Sequence, residues 1–221
     1  MAGRRQRFLD RAEAGGLLAE AVARLVRPPV LVLGVPRGGV VVAVRVAARL
    51  GAPLDVVVPR KVGAPGNPEL AVGAVADGVQ ALDEPAIRRL GLDMAAVRAE
   101  ATRQTAEVAR RTAAYRNGLP PLQLLGRTVV LVDDGVATGW TCAAAASYTR
   151  RAGADRVLVA VPVGPPGLAD RLSPVVDQVV VLVTPDPYHN VGQAYQHFPQ
   201  VDDDEVLSCL DHGRGVRGAQ A

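Results

Sequence analysis

The sequence predicts an α/β domain built on a mainly parallel sheet with helices on both faces. Short Val-rich runs alternate with longer Ala-, Arg- and Leu-rich stretches of helical periodicity. Runs that are apolar at every position, rather than at every second one, suit strands buried on both sides. The most ordered run, VVLV at 129–132, leads into two acids, a Gly/Thr turn and a further helical stretch. That gives the strand, loop and helix order of a βαβ unit.

The elements follow in order. Residues 10–26 carry apolar side chains at helical spacing, with Asp10 placed to cap the first turn, and Pro28-Pro29 ends them. VLVLGV at 30–35 is a buried strand. PRGG at 36–39 opens a helix that runs to Leu50, and Gly51-Ala52-Pro53 turns the chain. LDVVVPRK at 54–61 reads as one strand, and GAPGNPE at 63–69 as a loop, from its Gly, Pro and Asn content. Residues 70–84 read as a hairpin about Asp77-Gly78. Residues 85–117 are helical with a break at Gly91. Strands at 127–134, 155–163 and 177–184 alternate with helices at 140–153 and 167–173. A last helix follows the acids at 202–204. The expected organisation is a single domain over 1–212, with a small hood built from 1–28 and 184–210 and a disordered tail at 213–221.

Composition excludes several classes. Apolar residues make up 49% of the 221, enough for a sizeable core. The formal net charge is +3, and the basic residues are scattered without interleaved aromatics, which argues against nucleic-acid binding. Cys142 and Cys209 show neither metal nor disulfide spacing. No apolar run is long enough to cross a bilayer, and the charged start lacks a signal core, so the expectation is a cytoplasmic protein with no membrane partner. No GxxxxGK[ST] is present, which argues against P-loop kinase chemistry.

The chemistry concentrates at VVLVDDGVATGWT, residues 129–141. Asp133 and Asp134 stand at the C-terminal end of a strand, where open α/β sheets bind ligands. The loop of Ala137, Thr138, Gly139, Trp140 and Thr141 enters a helix N-terminus, which offers free N–H groups and a favourable dipole to a phosphate. The bland alternative is a strand–turn–helix with a solvated acid pair. This motif resembles the 5-phosphoribosyl 1-pyrophosphate (PRPP) site of type I phosphoribosyltransferases. The stretches FLDRAEAG, PRKVGAPGNPELAVGAV and PDPYHNVGQAY also resemble a bacterial branch of that superfamily.

The resemblance implies the type I phosphoribosyltransferase fold and a role in nucleotide metabolism. It implies transfer of ribose 5-phosphate from PRPP, with Mg²⁺, to a nitrogen of a nucleobase-like acceptor, and leaves a homodimer open. By the same resemblance, Asp133 and Asp134 hold the ribose hydroxyls, within reach of the PRPP-bound Mg²⁺, and residues 137–141 hold the 5-phosphate. Arg37, Gly38 and Gly39 take the pyrophosphate together with Arg60 and Lys61, so Arg37 and Lys61 are the candidate catalytic cations. Lys61 is the only lysine in the chain. Tyr188 is the candidate acceptor-base residue, in a tail that also holds Tyr195, Phe198, His189 and His197; the alternative for that cluster is a small satellite core. Hypoxanthine-guanine enzymes of the family carry an acid where Ala137 stands, so the wording here is closer to adenine and uracil enzymes. A non-catalytic PRPP sensor would keep 129–141 as well. A PRPP synthetase shares a similar loop but carries two related domains, and one copy is seen here.

Overall fold

The computed structural model describes residues 7–121 and 123–215. In chain order the elements are α1 (Arg11–Ala23), β1 (Val30–Gly34), α2 (Gly38–Leu50), β2 (Leu54–Val56), β3 (Pro59–Ala64), β4 (Asn67–Ala76), β5 (Val79–Leu82), α3 (Glu84–Arg89) and α4 (Met94–Arg116). There follow β6 (Thr128–Val132), α5 (Trp140–Arg151), β7 (Arg156–Val163), α6 (Leu168–Leu172), β8 (Gln178–Val183), a 3₁₀ turn at Val191–Ala194, and α7 (Asp203–Gly215).

Five strands form a parallel sheet in the order β2-β1-β6-β7-β8. Their side chains alternate between two apolar layers. Val30, Val32, Val130, Val132 and Leu158 meet α1, α2 and α7 through Leu18, Val22, Val42, Val46 and Leu210. Leu31, Leu33, Val129, Leu131, Val157 and Val159 meet α5 and α6 through Ala144, Ala145, Leu168 and Leu172. Neither face is left to water, which is why the strands are apolar throughout. The Asp10 side chain accepts from the Glu13 N–H at 2.9 Å and caps α1 as expected.

The region after β2 departs from expectation. Residues 54–61 are not one strand: β2 ends at Val56, and β3 belongs to a separate antiparallel sheet of order β3-β4-β5. Pro59 has no N–H to give a ladder, so it stands where a strand begins. GAPGNPE is not an open loop. Gly63-Ala64 and Asn67–Glu69 belong to β3 and β4, and only Pro65-Gly66 turns between them. The hairpin at Asp77-Gly78 forms as read, both residues taking positive φ (39° and 83°), which a two-residue turn of matching twist needs. At the C-terminus, Gly213–Gly215 are helical rather than disordered; the rest of the expected tail, 216–221, lies outside the described residues. No helix among the described residues is long and apolar enough to cross a membrane.

Between β1 and β6 the winding reverses: β2 lies on one side of β1, and β7 and β8 lie beyond β6 on the other. Such a reversal opens a crevice at the carboxyl ends of the two central strands. A further layer covers that end. Phe8 N–H donates to Ala194 O (2.8 Å), and Gln196 and His197 N–H donate to Phe8 O (2.8 Å) and Leu9 O (2.9 Å). Phe8, Ala14, Ala194 and Tyr195 form its core, with Tyr188, Val191 and Phe198 against them.

Candidate active site

The crevice at the β1/β6 switch is lined by the two loops the sequence singles out. PRGG leaves β1, and its Pro36–Arg37 peptide is cis. Its glycines lie directly against the acids of the β6 loop. A Cβ on Gly38 would come 1.9 Å from Asp134 Oδ2, and one on Gly39 would come 2.8 Å from Asp133 Cα and Oδ1. Glycine is therefore required here for close approach, not for an unusual φ. Sequence separates these loops by almost a hundred residues, and the sheet register brings them together.

Beyond the acids the loop reaches α5. Ala137 and Thr138 are exposed, Trp140 and Thr141 half-buried. Gly139 is the residue before the helix, at φ 90°, ψ −9°, and no side chain caps the first turn. The leading N–H groups of α5 are thus left for a ligand, in a helix long enough to carry a useful dipole. Trp140 packs against the α5-side core. Arg171 on α6, which the sequence does not mark, reaches the Thr138 carbonyl at 3.5 Å.

The acid pair sits in an unfavourable place for charge. Asp133 Oδ1 accepts the Asp134 N–H at 2.8 Å. Burial, and then the charge of Asp134, push the Asp133 carboxyl well above the usual carboxylate range. Burial also raises Asp134, against the opposing pull of Arg11. Arg11 is the other residue the sequence reading misses. Its Nε donates to Asp134 Oδ2 (2.7 Å), its Nη1 to the Pro199 carbonyl (2.7 Å), and its guanidinium lies 3.8 Å from the Phe198 ring centre. Nothing in RRQRFLDR distinguishes this arginine from its neighbours; only burial of the helix face does.

The tail tyrosines hold the loop by its backbone. Tyr195 Oη donates to Asp134 O and Tyr188 Oη to Val136 O, each at 2.6 Å. Tyr195 is fully buried between Phe8 and Phe198, with ring centres 5.5 and 4.8 Å away. Tyr188 is half-buried at the edge of the same cluster. The satellite-core reading of this tail therefore holds for Tyr195 and Phe198, while Tyr188 stands between core and crevice.

The structure does not bring Arg60 and Lys61 to this place. Arg60 Nε donates to Gln104 (2.6 Å) and Lys61 Nζ pairs with Glu69 (2.8 Å) across the β3–β4 hairpin. Both line a cavity of about 520 Å³ between that hairpin and the start of α4, which includes none of residues 36–39 or 133–141. Arg37, the residue before the glycine that lies on Asp134, lines a second cavity with the later part of α4.

Comparison with known proteins agrees with this geometry. The family model described as the phosphoribosyl transferase domain matches residues 8–194. Two Mycobacterium tuberculosis proteins provisionally named phosphoribosyl transferases are each 48% identical over 205 residues, 92% of this chain. The chain spans about half the length of these curated relatives, 46%. The solved structure of TT1426 from Thermus thermophilus is 49% identical and superposes with a TM-score of 0.80, covering 93% of this chain and 98% of that one.

Proposed function

From the premise that this chain belongs to the phosphoribosyl transferase domain family, we propose that it transfers ribose 5-phosphate from PRPP to a nitrogen of a nucleobase-like acceptor, releasing pyrophosphate. The observation that carries the reading is the juxtaposition at the β1/β6 switch. An acid pair, an uncapped helix N-terminus and an Arg-Gly-Gly turn meet within one crevice.

Each group has a part. Asp133 and Asp134 accept hydrogen bonds from the ribose hydroxyls. The N–H groups of residues 137–141, with the Thr138 and Thr141 hydroxyls, take the 5-phosphate. The N–H groups of Gly38 and Gly39 and the Arg37 guanidinium take the pyrophosphate. Mg²⁺ is commonly held by one or two carboxylates together with substrate phosphates, and the Asp133–Asp134 pair offers that donor set. Bound there with PRPP, it would neutralise leaving-group charge. The bond from the anomeric carbon to the pyrophosphate oxygen breaks, its electron pair leaving with that oxygen. The acceptor nitrogen forms the new bond and gives its proton to water.

The layer from Phe8 to α1 and from Tyr188 to Pro199 serves as the hood, with the Tyr188 ring as the acceptor's stacking surface. Arg60 and Lys61 join the pyrophosphate only if their hairpin moves. The Lys61–Glu69 pair is exposed and such pairs contribute at most about 1 kcal/mol, a small obstacle to that motion. Ala137 supplies no acid to a purine N7, so hypoxanthine and guanine should turn over poorly beside a better acceptor; strong turnover of both, with nothing better in the panel, would contradict this. The central test is thermal stabilisation by PRPP with Mg²⁺, followed by pyrophosphate release across a nucleobase panel. Stabilisation with no release from any base would mark a PRPP sensor instead, and no stabilisation would remove PRPP altogether.

A further inference from the structure

Helix α4 carries a pair of arginines that faces the PRGG turn. Arg110 and Arg111, with Arg37, Ala114, Tyr115, Asp203 and Leu207, line a cavity of about 180 Å³. A water molecule takes about 30 Å³ of liquid, so this space suits a small oxyanion rather than a nucleobase with its sugar. Its charge is biased toward cations. Glu107, lower on α4, takes Arg110 through Nε and Nη2 (2.8 and 2.9 Å) and Arg111 through Nε (2.7 Å). Those bonds leave Nη1 of Arg110 and both terminal nitrogens of Arg111 uncommitted. Arg37 lines the same space, and its charge acts on the Tyr115 hydroxyl. On the opposite wall, Asp203 is engaged by the Tyr115 hydroxyl, which donates to it at 2.6 Å. Three guanidiniums thus line one space, the planar fork of each suited to gripping phosphate oxygens in pairs.

The cavity adjoins the acid pair. Arg37 lines it, and the next residue, Gly38, is the one whose Cβ would strike Asp134. In the PRPP reading, a diphosphate on the anomeric carbon of a ribose held by those acids would lie on the side of the Arg-Gly-Gly turn that Arg37 opens. We propose that Arg110 and Arg111, together with Arg37, bind the pyrophosphoryl group of PRPP and retain it as product. α4 would then add leaving-group contacts to those the resemblance implies for Arg37, Gly38, Gly39, Arg60 and Lys61. This inference rests on the PRPP reading above.

The test is a calorimetric titration of inorganic pyrophosphate, and separately of ribose 5-phosphate, in Mg²⁺ buffer. Wild type is compared with Arg110→Ala/Arg111→Ala and Arg110→Lys/Arg111→Lys. Both positions are on a solvent-facing helix surface and alanine is a strong helix former, so thermal unfolding should show a folded protein. The alanine pair should weaken pyrophosphate at least about tenfold, the scale of one lost charge-assisted hydrogen bond, and leave ribose 5-phosphate within about twofold. The lysine pair should recover part of the loss. Pyrophosphate affinity unchanged in the alanine pair, equal losses for both ligands, or a wild type that does not bind pyrophosphate would each overturn the proposal. A wild type that binds pyrophosphate but not ribose 5-phosphate faults the PRPP reading instead. The anion site then stands only if the alanine pair loses pyrophosphate.

Discussion

If Asp133 accepts ribose hydroxyls as a carboxylate, it does so against burial and the neighbouring Asp134, which both disfavour its charge. A carboxyl whose folded-state pKa is raised contributes stability that is complete below its unfolded value, roughly 4, and is lost as pH rises through the folded value. At neutral pH the charged form therefore costs stability. Asp133→Asn should raise Tm near pH 7, by roughly 2–4 °C if the relief is about 1 kcal/mol, and the gain should vanish in melts run near pH 4. The same variant should lose PRPP affinity, since a hydrogen bond to a charged acceptor contributes about 1.5–3 kcal/mol. A variant that is neither more stable nor weaker in calorimetry would show that Asp133 is an ordinary loop acid. Arg11 explains why Asp134 is less extreme: its guanidinium lies against the carboxylate and lowers what burial raises.

Among the elements, the N-terminus of α5 and the β3–β4 hairpin make contrasting demands. Gly139 is at φ 90°, where an L-residue costs roughly 1–2 kcal/mol. A Cβ there would meet only Leu168 and Leu172, at 3.4 and 3.7 Å, so the objection is conformational and not steric. Gly139→Ala should lower stability by about that amount and weaken ribose 5-phosphate binding more than pyrophosphate binding; equal affinities for wild type and variant would detach the 5-phosphate from this loop. For the hairpin, closure would bring Lys61 onto a leaving group as its charge builds, so the ammonium would act mainly in the transition state. Lys61→Ala should then lower kcat by about tenfold or more, roughly 1.4 kcal/mol, with a smaller change in PRPP affinity. A kcat equal to wild type would confine Lys61 to its pairing with Glu69.

At the scale of the molecule, residues 8–11 and 188–199 pack together beside the β6 loop and hold it by its backbone. Tyr188 and Tyr195 donate to carbonyls of the β6 loop, and Arg11 ties the same loop to Pro199. If PRPP binds the β6 loop and the acceptor stacks on Tyr188, these bonds link the two binding events mechanically. Tyr188 separates the two contributions. Tyr188→Phe keeps the ring and loses the bond to Val136 O, so it should weaken PRPP binding with the acceptor KM nearly unchanged. Tyr188→Ala should in addition raise that KM, on the scale of about 1–3 kcal/mol for a base stacked on an aromatic ring. Identical behaviour of the two variants toward the acceptor would assign Tyr188 to the hood core.

Local chemistry is enough to foretell the parallel sheet, the acid pair at a strand end and the helix N-terminus after it. Those features depend on periodicity and turn preference within a dozen residues, which sequence displays directly. Asp10 and Asp77-Gly78 are legible for the same reason. What sequence does not display is partnership across the sheet. Gly38 and Gly39 lie on Asp134 and Asp133 because β1 and β6 pair in register. Arg11 is a ligand of Asp134 rather than a surface cation because α1 turns that face inward. Lys61 stands out by composition, and the antiparallel hairpin carries it to another cavity. Arg110 and Arg111 look like any solvated helix face until α4 is laid beside the PRGG turn. Burial and long-range register, which are properties of the packed whole, decide which charges meet.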